Sequence, residues 1–375
     1  MAADRRAQGR PTGAAAPARL LTLRDYERAA RRALDPMAWG YFRSGADGQK
    51  TLRDNRRAFG RWEIWPRVLV DVAERDLSTS VLGTRIAFPI LVAPTAYHRM
   101  AHPDGEQGTA RAAAELETIM VVSTLATTSL EDVASAAAGT RWFQLYVHKD
   151  RGFTEALVRR AVAAGYSALV VTVDTPLLGR RLADERSGFC LPAGLQMQNL
   201  VEATAGVSGD ASMLASYVAS RHDAAFTWRD LDWLRSISGL PLVLKGIVRA
   251  DDGARAADSG VDAVVVSNHG ARQLDGGPAT LTALPAVVDA VAGRCEVLLD
   301  GGIRWGTDVL KAVALGARAV LVGRPVLWGL AVDGERGVAS VLGLLRDELS
   351  RAMALAGCAR IGDIDRDLVR PAPGR

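Results

Sequence analysis

Residues 267–277 read SNHGARQLDGG and follow the β-branched run Ala-Val-Val-Val at 263–266. His269 and Arg272 stand three positions apart among glycines and short polar residues. An imidazole accepts a proton near neutral pH, and a guanidinium fork grips a carboxylate or phosphate. Residues of similar chemical potential recur at the ends of other short apolar runs. They are Thr95, Ala96 and Tyr97 after 89–94, Ser123 within 119–124, and Gln144 and Tyr146 within 142–147. Thr172 and Asp174 lie in 168–174, Lys245 in 241–247, and Ser267 directly after 263–266. Asp300, Gly301, Gly302 and Arg304 close 296–302, and Gly323 and Arg324 close 319–324. A lone histidine is more often structural than catalytic, and a lone lysine at a strand end usually reaches out to solvent. Their recurrence at eight run ends points instead to one shared site.

The elements that would position such a site follow from periodicity. The eight runs are nearly continuous in apolar residues, and alanine- and leucine-rich segments separate them at 105–117, 130–138, 151–164, 250–259, 281–292 and 306–315. Apolar strands alternating with helices predict a parallel sheet covered on its faces. Eight such units predict an α/β fold closed as a (β/α)8 barrel, in which the C-terminal strand ends build the site. Phosphate sites in such barrels follow the seventh and eighth strands, where backbone N–H groups approach an anion. Gly301, Gly302 and Gly323, with Arg304 and Arg324, therefore predict a phosphorylated ligand, either a sugar phosphate or a cofactor.

Before the first run, Thr22 to Asp25 reads as a capping box opening a helix to about Leu34, ended by Pro36, and 76–87 reads as a hairpin turning at Gly83. Residues 182–226 exceed what one connection needs and are expected to form a lid over the site. Helix 228–238 leads back to the fifth strand, and a final helix over 335–356 closes the barrel. The predicted organisation is a disordered tail at 1–21, a barrel domain at 22–365 and a C-terminal tail at 366–375.

The 375-residue chain is 49% hydrophobic and carries a net charge of +4 with scattered basic residues, which argues against nucleic acid. No apolar run reaches the roughly 18 residues that a membrane span needs. Arg5-Arg6 is followed by no apolar stretch of the kind an export signal carries. Cys190, Cys295 and Cys358 lack metal-site spacing and suit a reducing compartment, so a cytoplasmic location is expected. His98 and His102 are four apart, but Pro103 follows and no glutamate lies between them, so no metal is expected. No GxGxxG opens a helix after a strand, which argues against a nicotinamide site.

The stretches SNHGARQLDG, LDGGIRWGTDVLKA, VGRPVLW, FQLYV and VDTPLLGRR resemble the FMN-dependent 2-hydroxy-acid oxidase/dehydrogenase family, over about 23–364. The resemblance resolves the phosphorylated ligand as FMN. It implies that His269 takes the substrate's proton, that Asp174 stabilises the imidazolium, and that Arg272 and Arg181 hold the substrate carboxylate. Tyr41 and Tyr146 would bond the carboxylate and hydroxyl. Lys245 would sit at the N1/C2 edge of the flavin, Ser123, Gln144 and Thr172 would bond its ring, and Thr95 and Ala96 would lie along it. Ser267, Asp300, Gly301, Gly302, Arg304, Gly323 and Arg324 complete the implied cofactor set. Leu125 stands where plant glycolate oxidases carry a tryptophan, and Tyr97 replaces a smaller residue in a manner similar to hydroxymandelate oxidases. Ser187 stands where the family often has asparagine, and His98–Pro103 corresponds to a loop. The implied activity is oxidation of a small (S)-2-hydroxy acid, with oxygen reduced to hydrogen peroxide. The alternatives are a mandelate or 4-hydroxymandelate type of oxidase, and a dehydrogenase passing electrons to a quinone or protein. The family also implies a homotetramer.

Overall fold

The structure, a computed structural model, describes residues 20–201, 217–218 and 220–373. The N-terminal tail up to Arg19 and much of the 182–226 excursion lie outside the described residues. Thr22 caps the first helix, Leu23–Ala33, with the reciprocal bonds of a capping box to Asp25. Pro36 does not merely end that helix. With Asp35 as its cap, it opens a second one, Pro36–Arg43, because a proline at the first helical turn loses no hydrogen bond. A third helix, Lys50–Arg57, and the strand β1 (Trp62–Ile64) follow. The hairpin is β2 (Thr79–Val81) and β3 (Thr84–Ile86), with Gly83 in the turn at φ 75°.

The eight predicted strands are present: β4 (Ile90–Val92), β5 (Met120–Ser123), β6 (Arg141–Leu145), β7 (Leu169–Thr172), β8 (Leu242–Ile247), β9 (Ala263–Val266), β10 (Glu296–Asp300) and β11 (Ala319–Val322). All neighbouring pairs are parallel and the sheet closes, with β11 beside β4. This is the (β/α)8 barrel. Strand residues of one parity, such as Leu91, Val121, Val170, Val243, Val265 and Leu298, fill the barrel interior, while the other parity packs under the helices. Two-sided burial explains why these strands read as unbroken apolar runs rather than alternating ones.

The ends of the domain depart from expectation. The closing helix begins at Arg324, directly after β11, and runs to Ala356 with a break at Asp333–Gly334. Its first half is rich in apolar residues with no helical stripe because it is buried all round, which hides it from a periodicity argument. The chain also stays in the fold past 365. Leu368 and Val369 are buried, and β12 (Val369–Pro371) pairs antiparallel with β1. His98–Ala101 is a single helical turn rather than a loop. Among the described residues no helix is long and apolar enough to cross a membrane.

Candidate active site

The strand ends surround a pocket of about 1080 Å³ of empty space, part of it open to solvent. One wall carries a proton acceptor. His269, Gly270 and Ala271 all adopt left-handed backbone conformations, at φ 57°, 59° and 62°. Such angles are uncommon outside glycine and typically store 1–3 kcal/mol each, so neighbours must hold them. Ser267 Oγ accepts from the His269 N–H at 3.1 Å, and the Asn268 side chain accepts from the Ala271 N–H at 3.0 Å. The turn aims the His269 ring at Asp174, with Nδ1 2.8 Å from Oδ1. Thr175 Oγ donates to the same carboxylate oxygen at 3.1 Å. Nδ1 therefore carries the proton, and Nε2 keeps its lone pair, 3.5 Å from Tyr146 Oη.

Burial lowers the His269 pKa, with Lys245 and Arg181 adding to that effect against the raising influence of Asp174. Burial works to raise the Asp174 carboxyl, but His269, Lys245 and Thr175 outweigh it and its pKa is lowered. The imidazole is thus neutral and its partner ionised, the arrangement a general base requires.

The same pocket carries cations. Arg272 is held by Nη1, which donates to the carbonyls of Tyr41 at 2.6 Å and Ser44 at 2.9 Å, and its Nη2 is buried without a partner. Burial, with Arg181 nearby, lowers its pKa to about 10, still charged at neutral pH. Arg181 is buried, and its nearest carboxylate, Asp184, is 3.9 Å away. Both guanidinium groups lie by the Tyr41 ring, at 4.7 and 5.9 Å from its centroid. Two cations with buried, unpartnered N–H groups call for an anionic ligand group.

The floor and far end suit the phosphorylated cofactor. Lys245 Nζ donates to Ser267 Oγ at 3.2 Å and lies 3.5 Å from Asp300 Oδ2, and Ser267 Oγ donates to Asp300 at 2.8 Å. The other Asp300 oxygen, Oδ1, is buried without a partner, as is Arg304 Nε. Gly301 and Gly302 turn at φ 91° and 85°, and a Cβ on Gly302 would lie 2.1 Å from the Asn55 carbonyl, so only glycine fits. Burial lowers Arg304 to about 9, with Arg56 adding to it, and lowers Arg324 well below its ordinary value, with Arg272 and Arg304 adding. Clustered buried guanidinium groups at the ends of β10 and β11 fit a bound phosphate.

Most of the predicted residues line this pocket: Tyr41, Thr95, Ala96, Ser123, Leu125, Tyr146, Arg181, Lys245, His269, Arg272, Asp300, Gly301, Gly302, Arg304, Gly323 and Arg324. Others stand behind it. Gln144 is satisfied by Thr124, Ser123 and Thr172, and Ser267 by Lys245, Asp300 and the His269 amide. Tyr97 does not form the wall. It is buried beside the Tyr41 and Phe189 rings, with its hydroxyl on Met197 Sδ at 3.5 Å. Sequence reasoning missed Thr175, Leu178, Val218 and His222, which line the pocket from connecting segments. The parity of Asp174 with Thr172 drew attention away from Thr175, and His222 lies in a segment without a repeating pattern. His98 is buried against Thr95, Thr109 and Glu106, and His102 bonds the Asp104 amide, so each has a structural partner.

The chain belongs to the FMN-dependent dehydrogenase family, whose model matches residues 30–371. FMN is its cofactor. The chain is 53% identical over 361 residues to 2-hydroxyacid oxidase 1 of Homo sapiens, covering 95% of this chain and 98% of that protein. It is 54% identical over 356 residues to an L-lactate oxidase of Nostoc sp., covering 92% and 96%. A solved mandelate oxidase with (S)-4-hydroxymandelic acid superposes with a TM-score of 0.90 at 43% identity, covering 95% of this chain and 99% of that one.

Proposed function

We propose that the protein oxidises a small (S)-2-hydroxy acid to the 2-oxo acid, with oxygen as the final acceptor and hydrogen peroxide as the second product. The observation that carries this reading is the neutral His269 Nε2 facing the same pocket as the open donors of Arg272 and Arg181. FMN, when bound, supplies the acceptor for the two electrons lost from the substrate. It would be held by Thr95, Ala96, Ser123 and Lys245 along its ring, with Gln144, Thr172 and Ser267 supporting them. Gly301, Gly302, Arg304, Gly323 and Arg324 would hold its phosphate, and Asp300 its polyol chain.

The chain's own groups divide the remaining work. Arg272 and Arg181 bind the carboxylate beside Tyr41, which fixes the 2-carbon relative to His269. Tyr146 Oη and His269 Nε2 both reach the 2-hydroxyl, and Nε2 takes the substrate's proton. Asp174 stabilises the imidazolium that forms, as buried carboxylates do in other catalytic pairs. The described parts of the excursion support a covering role over the site, with Phe189 stacked on Tyr41 and with Val218 and His222 lining the pocket. The test is anaerobic addition of a hydroxy-acid panel to the yellow protein, followed by air. Bleaching by (S)-lactate or (S)-glycerate and recovery with peroxide are expected. Bleaching without recovery in air would leave a dehydrogenase.

A second reading is an aromatic substrate of the mandelate type. It is favoured by the apolar wall of Leu125, Leu178 and Val218, and the same panel decides it. The protein is read as a cytoplasmic homotetramer. The exposed strip of Trp65, Val68, Leu69 and Val70 supports self-association, and the free cysteines Cys190, Cys295 and Cys358 suit a reducing compartment.

A further inference from the structure

Beside the catalytic pocket lies a second cavity of about 1090 Å³, also partly open to solvent. Its lining mixes apolar groups, among them Val147, Phe226 and Leu244, with polar ones such as Thr172, Asp223 and Asp252. Three residues line both spaces: Tyr146, Thr175 and His222. Together they form the partition between them.

Two of these residues touch the catalytic pair, and the third reaches it through one of them. The Thr175 hydroxyl touches both Asp174 Oδ1, at 3.1 Å, and His269 Nδ1, at 3.4 Å. Tyr146 Oη lies 3.5 Å from His269 Nε2. The His222 ring stacks on the Tyr146 ring at 4.6 Å and 25°, and its Nε2 is buried without a partner. The backbone around His222 is fastened at the same place. The Lys149 N–H donates to the Arg221 carbonyl at 2.8 Å, the Asp223 N–H to the Val147 carbonyl at 2.9 Å, and His148 and His222 form an antiparallel bridge. The excursion after β7 is thus pinned to the exit of β6, directly beside Tyr146.

We propose that His222 is a positioning residue for the proton-abstracting centre, holding Tyr146 beside His269 by ring stacking. The open space behind the partition explains why the task falls to one side chain, since ordinary core packing does not back Tyr146 on that face. His222 is neutral: burial, with His148 nearby, lowers it to about 3, so the ring stacks without bringing a charge to the base. A residue from the excursion therefore completes the geometry of residues on the barrel strands.

The inference rests on the proposed oxidation for its kinetic arm, while its structural arm is independent of any activity. The variants are His222→Ala and His222→Phe in the FMN-loaded protein. Crystal structures of wild type and His222→Ala should show Tyr146 moved away from His269 in the variant or split between two rotamers. In anaerobic stopped flow, His222→Ala should reduce its flavin at least about tenfold more slowly, with substrate Kd changed less than about threefold and full FMN content. His222→Phe, which keeps the stack, should recover most of the loss. An unmoved Tyr146 overturns the proposal whatever the kinetics. So does parallel loss of FMN, Kd and rate, or a phenylalanine variant no better than alanine. Failure of wild type to be reduced by any 2-hydroxy acid overturns the activity reading instead, and Tyr146 in the crystals then decides this one.

Discussion

At the scale of single residues, the site is an arrangement of proton inventory. Nδ1–H of His269 is committed to Asp174, so Nε2 is the only acceptor it offers the substrate. His269→Ala is expected to keep FMN, judged by absorbance, and to lose at least about a hundredfold in flavin reduction, the scale of a lost general base. The pH profile follows from the sign of the shift. Because the folded His269 pKa is lowered, its neutral form persists to lower pH, and the acid limb of kcat/KM should fall below the ordinary imidazole value. Asp174→Asn removes the anion that raises that pKa. Its acid limb should move further down in pH while the maximal rate drops by on the order of 10²–10⁴-fold. A limb that moves up would mean that Asp174 does not face the base. His269, Arg272, Asp174, Arg304 and Arg324 were legible because they lie at or just after the ends of runs whose direction is known, whereas Arg181 came only from the family resemblance. Thr175 and His222 were not, since neither parity nor period governs the segments that carry them.

At the scale of elements, glycines set how closely the strand ends approach one another. Gly246 interrupts the pairing of β8 with β9 and sits at φ 120°, where a Cβ would lie 2.7 Å from the Asp174 Cβ. Gly246→Ala should therefore displace Asp174 and slow flavin reduction, and should cost roughly 1–3 kcal/mol in chemical denaturation for the strained backbone. Stability lost with the rate intact would separate the strain from the catalytic pair. The closing helix offers a second case. Its two halves fold back on each other through Gly329 and Gly337, whose added Cβ atoms would lie 2.3 and 1.9 Å from the opposite carbonyl oxygens. Gly337→Val should destabilise by at least about 1–3 kcal/mol, read as a lower Tm, because neither backbone can yield. The eight strands were legible because two-sided burial writes them as apolar runs. The first half of this helix was not, since uniform burial erases the stripe that marks a helix.

At the scale of the whole molecule, the barrel assigns opposite polarities to the two ends of its substrate. In the proposed reading, Arg272 and Arg181 would fix the carboxylate, and the apolar wall would receive whatever hangs from the 2-carbon. Leu125 belongs to that wall, and pocket fit is worth roughly 1–3 kcal/mol per methylene. Leu125→Ala should shift relative kcat/KM from lactate toward mandelate by at least about tenfold, and an unmoved ratio would remove Leu125 from the substrate's path. Tyr97, expected beside it, packs behind Tyr41 instead and should act only through that ring. The overall architecture could be read from rhythm alone, whereas the depth of a side chain behind a wall depends on packing between distant segments.

The pairing of β1 with β12 sets an order of events during synthesis. Ile64 meets Val369, and β4 meets β11, so the earliest and latest parts of the chain are hydrogen-bonded neighbours. While the ribosome is still at work, the opening helices and the first barrel strands have no partners on one side. The barrel cannot shut until β11 has emerged, and the outer ladder waits for β12. Such long sequence separations slow folding and leave strand edges exposed in the interval. For the nascent protein, the interval before β11 and β12 emerge is the time of greatest exposure to wrong partners.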